Sequence, residues 1–177
     1  MNYREALLAI DAVCDLTAQL MSELWSPTEP PYEWSKSDGG TVYEKSWNYP
    51  SHRPDEAPTA LPTPWEEWGL VWGRFMDSGR LLVDGRPGVP VFYAGVGAEH
   101  QGSLAQLDEN KQDLLRRHGF RLIDRRSAET RNEFIWRIGY PEDVLAGPNL
   151  GTQAQSLAAW AITAFGDVRA VLTDAHS

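Results

Sequence analysis

Trp65-Glu66-Glu67-Trp68-Gly69-Leu70-Val71-Trp72 opens the segment from Trp65 to Arg137, where helix and strand signals follow one another with short joints. The large apolar residues of this run recur at helical spacing and continue to Phe75 and Met76, which predicts an amphipathic helix. Two β-rich pieces follow, Arg80 to Val83 and Val89 to Val96, and Asp84-Gly85-Arg86-Pro87-Gly88 between them has hairpin-turn chemistry. Leu104 to His118 predicts a second helix, and Phe120 to Asp124 with Asn132 to Gly139 a second strand pair. The order αββαββ specifies an α+β fold, an antiparallel sheet of about four to six strands backed by helices.

On the amino-terminal side, Ala6, Leu7, Ile10, Val13, Cys14, Leu20, Met21 and Leu24 form one face of a helix within residues 1–26, with Leu16 at its flank and Thr17 as its polar interruption. Arg4, Glu5, Asp11, Asp15 and Glu23 take the opposite face, and Ser26-Pro27 with Pro30-Pro31 ends the helix. Such a stripe predicts burial against the domain. Residues 32–49 carry Tyr32, Trp34, Val42, Tyr43, Trp47 and Tyr49 around Ser37-Asp38-Gly39-Gly40, the pattern of an aromatic β-ribbon. Residues 50–64 are a proline-rich connecting loop. On the carboxyl-terminal side, Pro141 to Leu145 holds a helical turn, and Thr152 is placed to cap a helix whose apolar face, Ala154, Leu157, Ala158, Ala161 and Phe165, ends at Gly166. Asp167 to Thr173 suits a last strand or closing turn.

At 177 residues the chain predicts a single domain, 1–177, with residues 65–174 as an αββαββα core and the segments before it as an extension. Its net charge of −9 and pI near 4.9 repel polyphosphate backbones, so nucleic acid is excluded and a basic protein or peptide is the expected partner. One cysteine, Cys14, allows no internal disulfide, no run approaches the roughly 18 apolar residues of a membrane span, and the amino terminus lacks a secretory pattern. A cytoplasmic location is the expectation. Thirteen Arg against three Lys point to a GC-rich genome.

No stretch carries a catalytic signature. Gly95-Val96-Gly97-Ala98-Glu99-His100-Gln101-Gly102 follows a strand and precedes a helix, as a phosphate loop would. Its third glycine is misplaced for GxGxxG, no Lys-Ser/Thr follows, and Glu99 sets negative charge where phosphate would sit. A sharp strand-to-helix turn, with Ser103 available as a cap, is the simpler reading. His52, His100, His118 and His176 show no metal-ligand spacing, so neither metal nor cofactor is expected. His100 beside Glu99 is the one candidate general base, and His118 suits the end of a helix. Of eight tryptophans, Trp72, Trp136 and Trp160 lie among aliphatic neighbours and belong to the core. Trp34 and Trp47, with Tyr43 and Tyr49 and the acidic pair Glu66-Glu67, are the candidate binding residues of an acidic, aromatic surface. The groups Asp108-Glu109 and Glu142-Asp143 have the ordinary pattern of solvated charge. Arg116, Arg117, Arg121, Arg125 and Arg126 are the basic concentration of the chain, able to receive an acidic tail.

The strand pair Leu81-Leu82-Val83 and Val91-Phe92-Tyr93-Ala94, the helix ending Leu114-Leu115-Arg116-Arg117-His118-Gly119-Phe120, the strand Glu133-Phe134-Ile135-Trp136 and the helix Gln155 to Phe165 give residues 65–174 an element order that resembles type III secretion chaperones and YbjN-like proteins. That resemblance implies helices packed on one antiparallel sheet, binding of protein segments without chemistry, and homodimers. The expectation is therefore a non-catalytic protein-binding module, a chaperone-like adaptor or an inhibitor or immunity factor for a toxin. The alternative is a small enzyme or ligand-binding domain using the Gly95–Gly102 loop with Glu99 and His100.

Overall fold

The run after Trp65 alternates as well as it cycles, since Trp68, Leu70 and Trp72 take every second position with Gly69, Val71 and Gly73 between them. In the computed structural model of the chain this run is a strand, and the expected helix is not formed. Gly69 and Gly73 would cost a helix about 1 kcal/mol each, whereas aromatic and β-branched residues suit a pleated surface. Period two also sets the three large side chains on one face, where Trp68 and Leu70 are wholly buried and Trp72 nearly so.

The structure describes residues 5, 8, 9, 12, 13, 15–17, 20, 45–50, 61–65, 67–73, 76–77, 80–81, 91–98, 102–126 and 131–174. Their strands are β1 (Lys45–Pro50), β2 (Glu67–Gly73), β3 (Met76–Asp77), β4 (Arg80–Leu81), β5 (Val91–Ala98), β6 (Phe120–Arg126) and β7 (Arg131–Gly139). Five of them form one antiparallel sheet in the order β1-β2-β5-β7-β6. The β6–β7 hairpin is the one the sequence predicts. The hairpin expected between Arg80–Val83 and Val89–Val96 is not formed by the described residues. Both sides of β5 are taken by β2 and β7, and β4 pairs with β3 in a separate two-stranded sheet. Residues 45–49, expected within a two-stranded ribbon, and Pro50, expected in the proline-rich loop, are built into the main sheet against β2. Residues 32–44 of that ribbon lie outside the described residues.

The helix expected over Leu104–His118 is interrupted. A 3-10 turn, Leu104–Gln106, is followed by α1 (Glu109–Arg117), because the Asp108 carboxylate accepts from Lys111 N at 2.8 Å and starts the helix anew. Gly119, at φ +80°, turns the chain from α1 into β6. The helical turn α2 (Pro141–Val144) is present as expected. The last helix, α3 (Leu150–Thr173), begins one cap earlier and ends two turns later than its sequence suggests. Asn149 is its cap, and Thr152 completes a capping box by exchanging bonds with it. Gly166 does not stop the helix, and no strand forms at Asp167–Thr173. Val168, Val171 and Leu172 continue the buried stripe, and burying each contributes about 1.5 to 3 kcal/mol against about 1 kcal/mol for a helical glycine.

That stripe packs on the sheet face formed by Trp68, Leu70, Trp72, Phe92, Ala94, Val96 and Ile135, with Leu115 of α1 in the same core. Trp160 packs half-buried at its margin. At the amino terminus the described residues from Glu5 to Leu20 are helical; Val13 and Thr17 are buried there, whereas Leu8 is exposed. The Thr17 hydroxyl donates to Ala154 O at 3.3 Å, so the polar break in the apolar stripe ties this helix to α3.

Gly95, paired with Gly69 on one side and Trp136 on the other, sits where a Cβ would collide with the backbone carbonyl of Ile135. Backbone cannot yield as a flexible side chain can. Gly95→Ala is therefore expected to destabilise the fold by about 2 to 3 kcal/mol, lowering Tm by roughly 4 to 12 °C in thermal unfolding.

Candidate functional site

Trp34, Tyr43, Glu66, Glu99 and His100 lie outside the described residues. Trp47 and Tyr49 are opposite Leu70 and Trp68 in the β1–β2 ladder, and Glu67 is opposite Pro50 and Gly97. Directly opposed residues share a face of a sheet. Trp47 and Tyr49 thus hold successive register positions on the helix-bearing face, and Glu67 a position on the other face. Among the described residues β1 is an outer strand of the sheet.

The sequence reading passes over Glu133, which is 2 % exposed on β7. Alternation could have singled it out, because Glu133 falls in phase with Ile135 on the core-facing side of the strand. Its Oε1 accepts from Gly102 N at 2.9 Å and its Oε2 from Leu104 N at 2.6 Å. In the ladder it is opposite Ala98 at the end of β5. The carboxylate therefore fixes the start of the 3-10 turn, while the ladder pairing of the same residue with Ala98 marks the end of β5. Bonds from backbone N–H groups to a carboxylate are charge-assisted, and in a buried setting they offset the cost of desolvating the charge. Ser103, buried between the two donors, makes no cap bond through its side chain, so the anchoring role expected of it falls to Glu133.

A second polar cluster joins four elements. Arg137 of β7 donates to Asp167 Oδ2 of α3 at 2.6 Å and, through Nε, to the His118 carbonyl at the end of α1 at 3.0 Å. Its guanidinium lies 4.5 Å from the centre of the Phe120 ring in β6. His118 Nδ1 is 3.8 Å from the same Asp167 oxygen. Asp167, placed by sequence in a last strand or closing turn, thus reaches Arg137 because α3 continues through it. The arrangement clamps the turn between α1 and β6 onto the sheet.

The face opposite the helices carries a row of rings. Tyr93 and Trp136 have centroids 5.2 Å apart, Trp136 and Phe134 4.3 Å, and both pairs of planes are tilted rather than stacked flat. The Phe134 ring lies over Gly97, 3.2 Å from where a Cβ would stand. Trp136 is core, as expected, but in this second cluster with Val71, Val91 and Tyr93. Asp108 and Glu109, and likewise Glu142 and Asp143, sit at helix starts, where negative charge meets the positive end of the helix dipole. Among the described residues no group of His, Cys, Asp and Glu is set to hold a metal ion, and no helix is long and apolar enough to cross a membrane.

The chain matches no protein-family model, no curated protein and no solved structure.

Two outcomes check these anchors. Glu133→Ala leaves two part-buried donors without their acceptor, which costs about 2 to 4 kcal/mol; hydrogen exchange at the Gly102 and Leu104 amides should accelerate ahead of the rest of the core. A double-mutant cycle of Arg137→Met with Asp167→Asn should give a coupling of about 1 kcal/mol in chemical denaturation, the scale of a short, partly screened pair.

Proposed function

We propose that the chain is a non-catalytic, cytoplasmic protein-binding module that takes a basic polypeptide, acting as a chaperone-like adaptor or as an inhibitor or immunity factor for a toxin. One observation carries this reading: Trp47 and Tyr49 occupy successive same-face positions on an outer strand, in a chain of net charge −9 whose sequence carries the acidic pair Glu66-Glu67. Aromatic side chains on an outer strand supply wide, rigid contact area at small entropic cost, and a negative field steers a basic partner into place. Trp34 and Tyr43, nearby in sequence, are assigned to the same binding role. The resemblance to type III secretion chaperones supports segment binding without chemistry and is compatible with a homodimer.

A second reading rests on Glu133. It holds Gly102 and Leu104, which follow Glu99 and His100 in the chain, and so gives a small ligand site or a general base there a fixed neighbour. Its signature would be a small molecule retained through purification.

Capture from a lysate of the native host, followed by mass spectrometry, should retrieve a basic polypeptide. Trp34→Ala with Trp47→Ala should weaken that binding at least tenfold while Tm moves by less than about 3 °C, the shift of roughly 1 kcal/mol in a domain of this size. A fall in Tm beyond about 8 °C would make these residues part of the core and overturn the reading.

A further inference from the structure

At the other end of the sheet from β1, among the described residues, lies β6, Phe120–Arg126, bonded to β7 on one side. An outer strand presents a row of backbone donors and acceptors that a further strand can pair with. Apolar side chains on both of its faces are half-covered: Leu122 packs at the margin of the helix-side core, and Ile123 at the margin of the ring-bearing cluster. A strand laid alongside would bury more of each.

The charge of this edge is opposite to that of the chain. Residues 116–131 contain six arginines, at 116, 117, 121, 125, 126 and 131, and two carboxylates, Asp124 and Glu129. That is an excess of four positive charges within a molecule of net charge −9. Arg116 is engaged by Asp113 at 2.9 Å, and both are exposed. Arg121, Ile123 and Arg125 lie opposite Trp136, Phe134 and Asn132, so the two arginines share one face of β6. Antiparallel pairing of two copies about Ile123 would set Arg121 against Arg125 twice over, and like charges directly opposed are unfavourable.

From this edge we propose that β6 accepts an extended acidic segment of another protein as a sixth strand of the sheet. Main-chain bonds supply the affinity, and carboxylates at alternate positions, facing Arg121 and Arg125, supply the selectivity. This site is independent of the β1 surface and takes a partner of opposite charge, so either can fail while the other stands.

The probe is a blocked heptapeptide, Glu-Val-Glu-Val-Glu-Val-Glu, matched in length to β6, with a Lys-Val counterpart, titrated into the full chain and followed by backbone NMR. The acidic peptide is expected to bind at least tenfold more tightly than the lysine peptide, to slow exchange at alternate amides of residues 120–126, and to weaken as salt rises. Arg121→Glu with Arg125→Glu should remove at least tenfold of that affinity at unchanged Tm, while Arg121→Lys with Arg125→Lys should retain most of it. Should the reversed variant not fold, the exchange pattern of the native chain and the lysine variant decide. Protection at β1 or elsewhere, equal binding of the two peptides, pairing of β6 with a second copy, or no binding at millimolar peptide would each overturn the proposal.

Discussion

The seating of α3 on the face of β2 and β5 is the contact on which the rest of the architecture depends. The buried positions of α3 recur at three- and four-residue steps from Ala154 to Leu172, and the small ones, Ala154, Ala158, Ala161 and Ala164, let the helix axis come close to the strands. Close approach brings Phe165 against Trp68, with ring centroids 5.2 Å apart. Everything else on that side is placed by this seat. The amino-terminal helix ties to α3 through Thr17, and Lys111 of α1 donates to the Leu172 carbonyl at the last turn of α3, where a cation meets the negative end of the dipole.

Buried and half-buried polar groups do the work of joints. Glu133 fixes the entry to the 3-10 turn, and Arg137 with Asp167 fixes the turn from α1 into β6. Both acceptors sit on regular elements, while most of the backbone groups they organise belong to connections. The rigidity of a loop is thereby borrowed from a strand or helix. Glycine has the complementary task. Gly95 and Gly97 leave the space that the Trp136 and Phe134 rings fill, and Gly139 leaves the space for Trp160 and Val144.

The two outer strands differ in chemistry although they belong to one sheet. β1 carries aromatic residues and runs beside acidic sequence, and β6 sits within the arginine-rich stretch. Sheet edges invite uncontrolled pairing, and charge is one way to restrict which strands approach. The overall charge of −9 by itself conceals the excess of four positive charges within residues 116–131.

The β6–β7 hairpin, the turn at Pro141–Val144, the helical character of the described residues from Glu5 to Leu20 and the core assignment of Trp72 and Trp136 were legible in the residues, because each depends on local alternation, capping chemistry or an apolar stripe, whereas Trp160 reaches only the margin of the core. Trp68-Gly69-Leu70-Val71-Trp72 was not, since residues four apart satisfy both a helical period and an alternating one; only the presence of β1 and β5 on its two sides selects the strand. Gly166 marks a helix end by local preference and is overruled by burial of the residues beyond it. The partners of Glu133, Arg137 and Asp167 are about 30 residues apart in the chain, so composition and charge set what these groups are, and the tertiary structure alone decides what each of them holds.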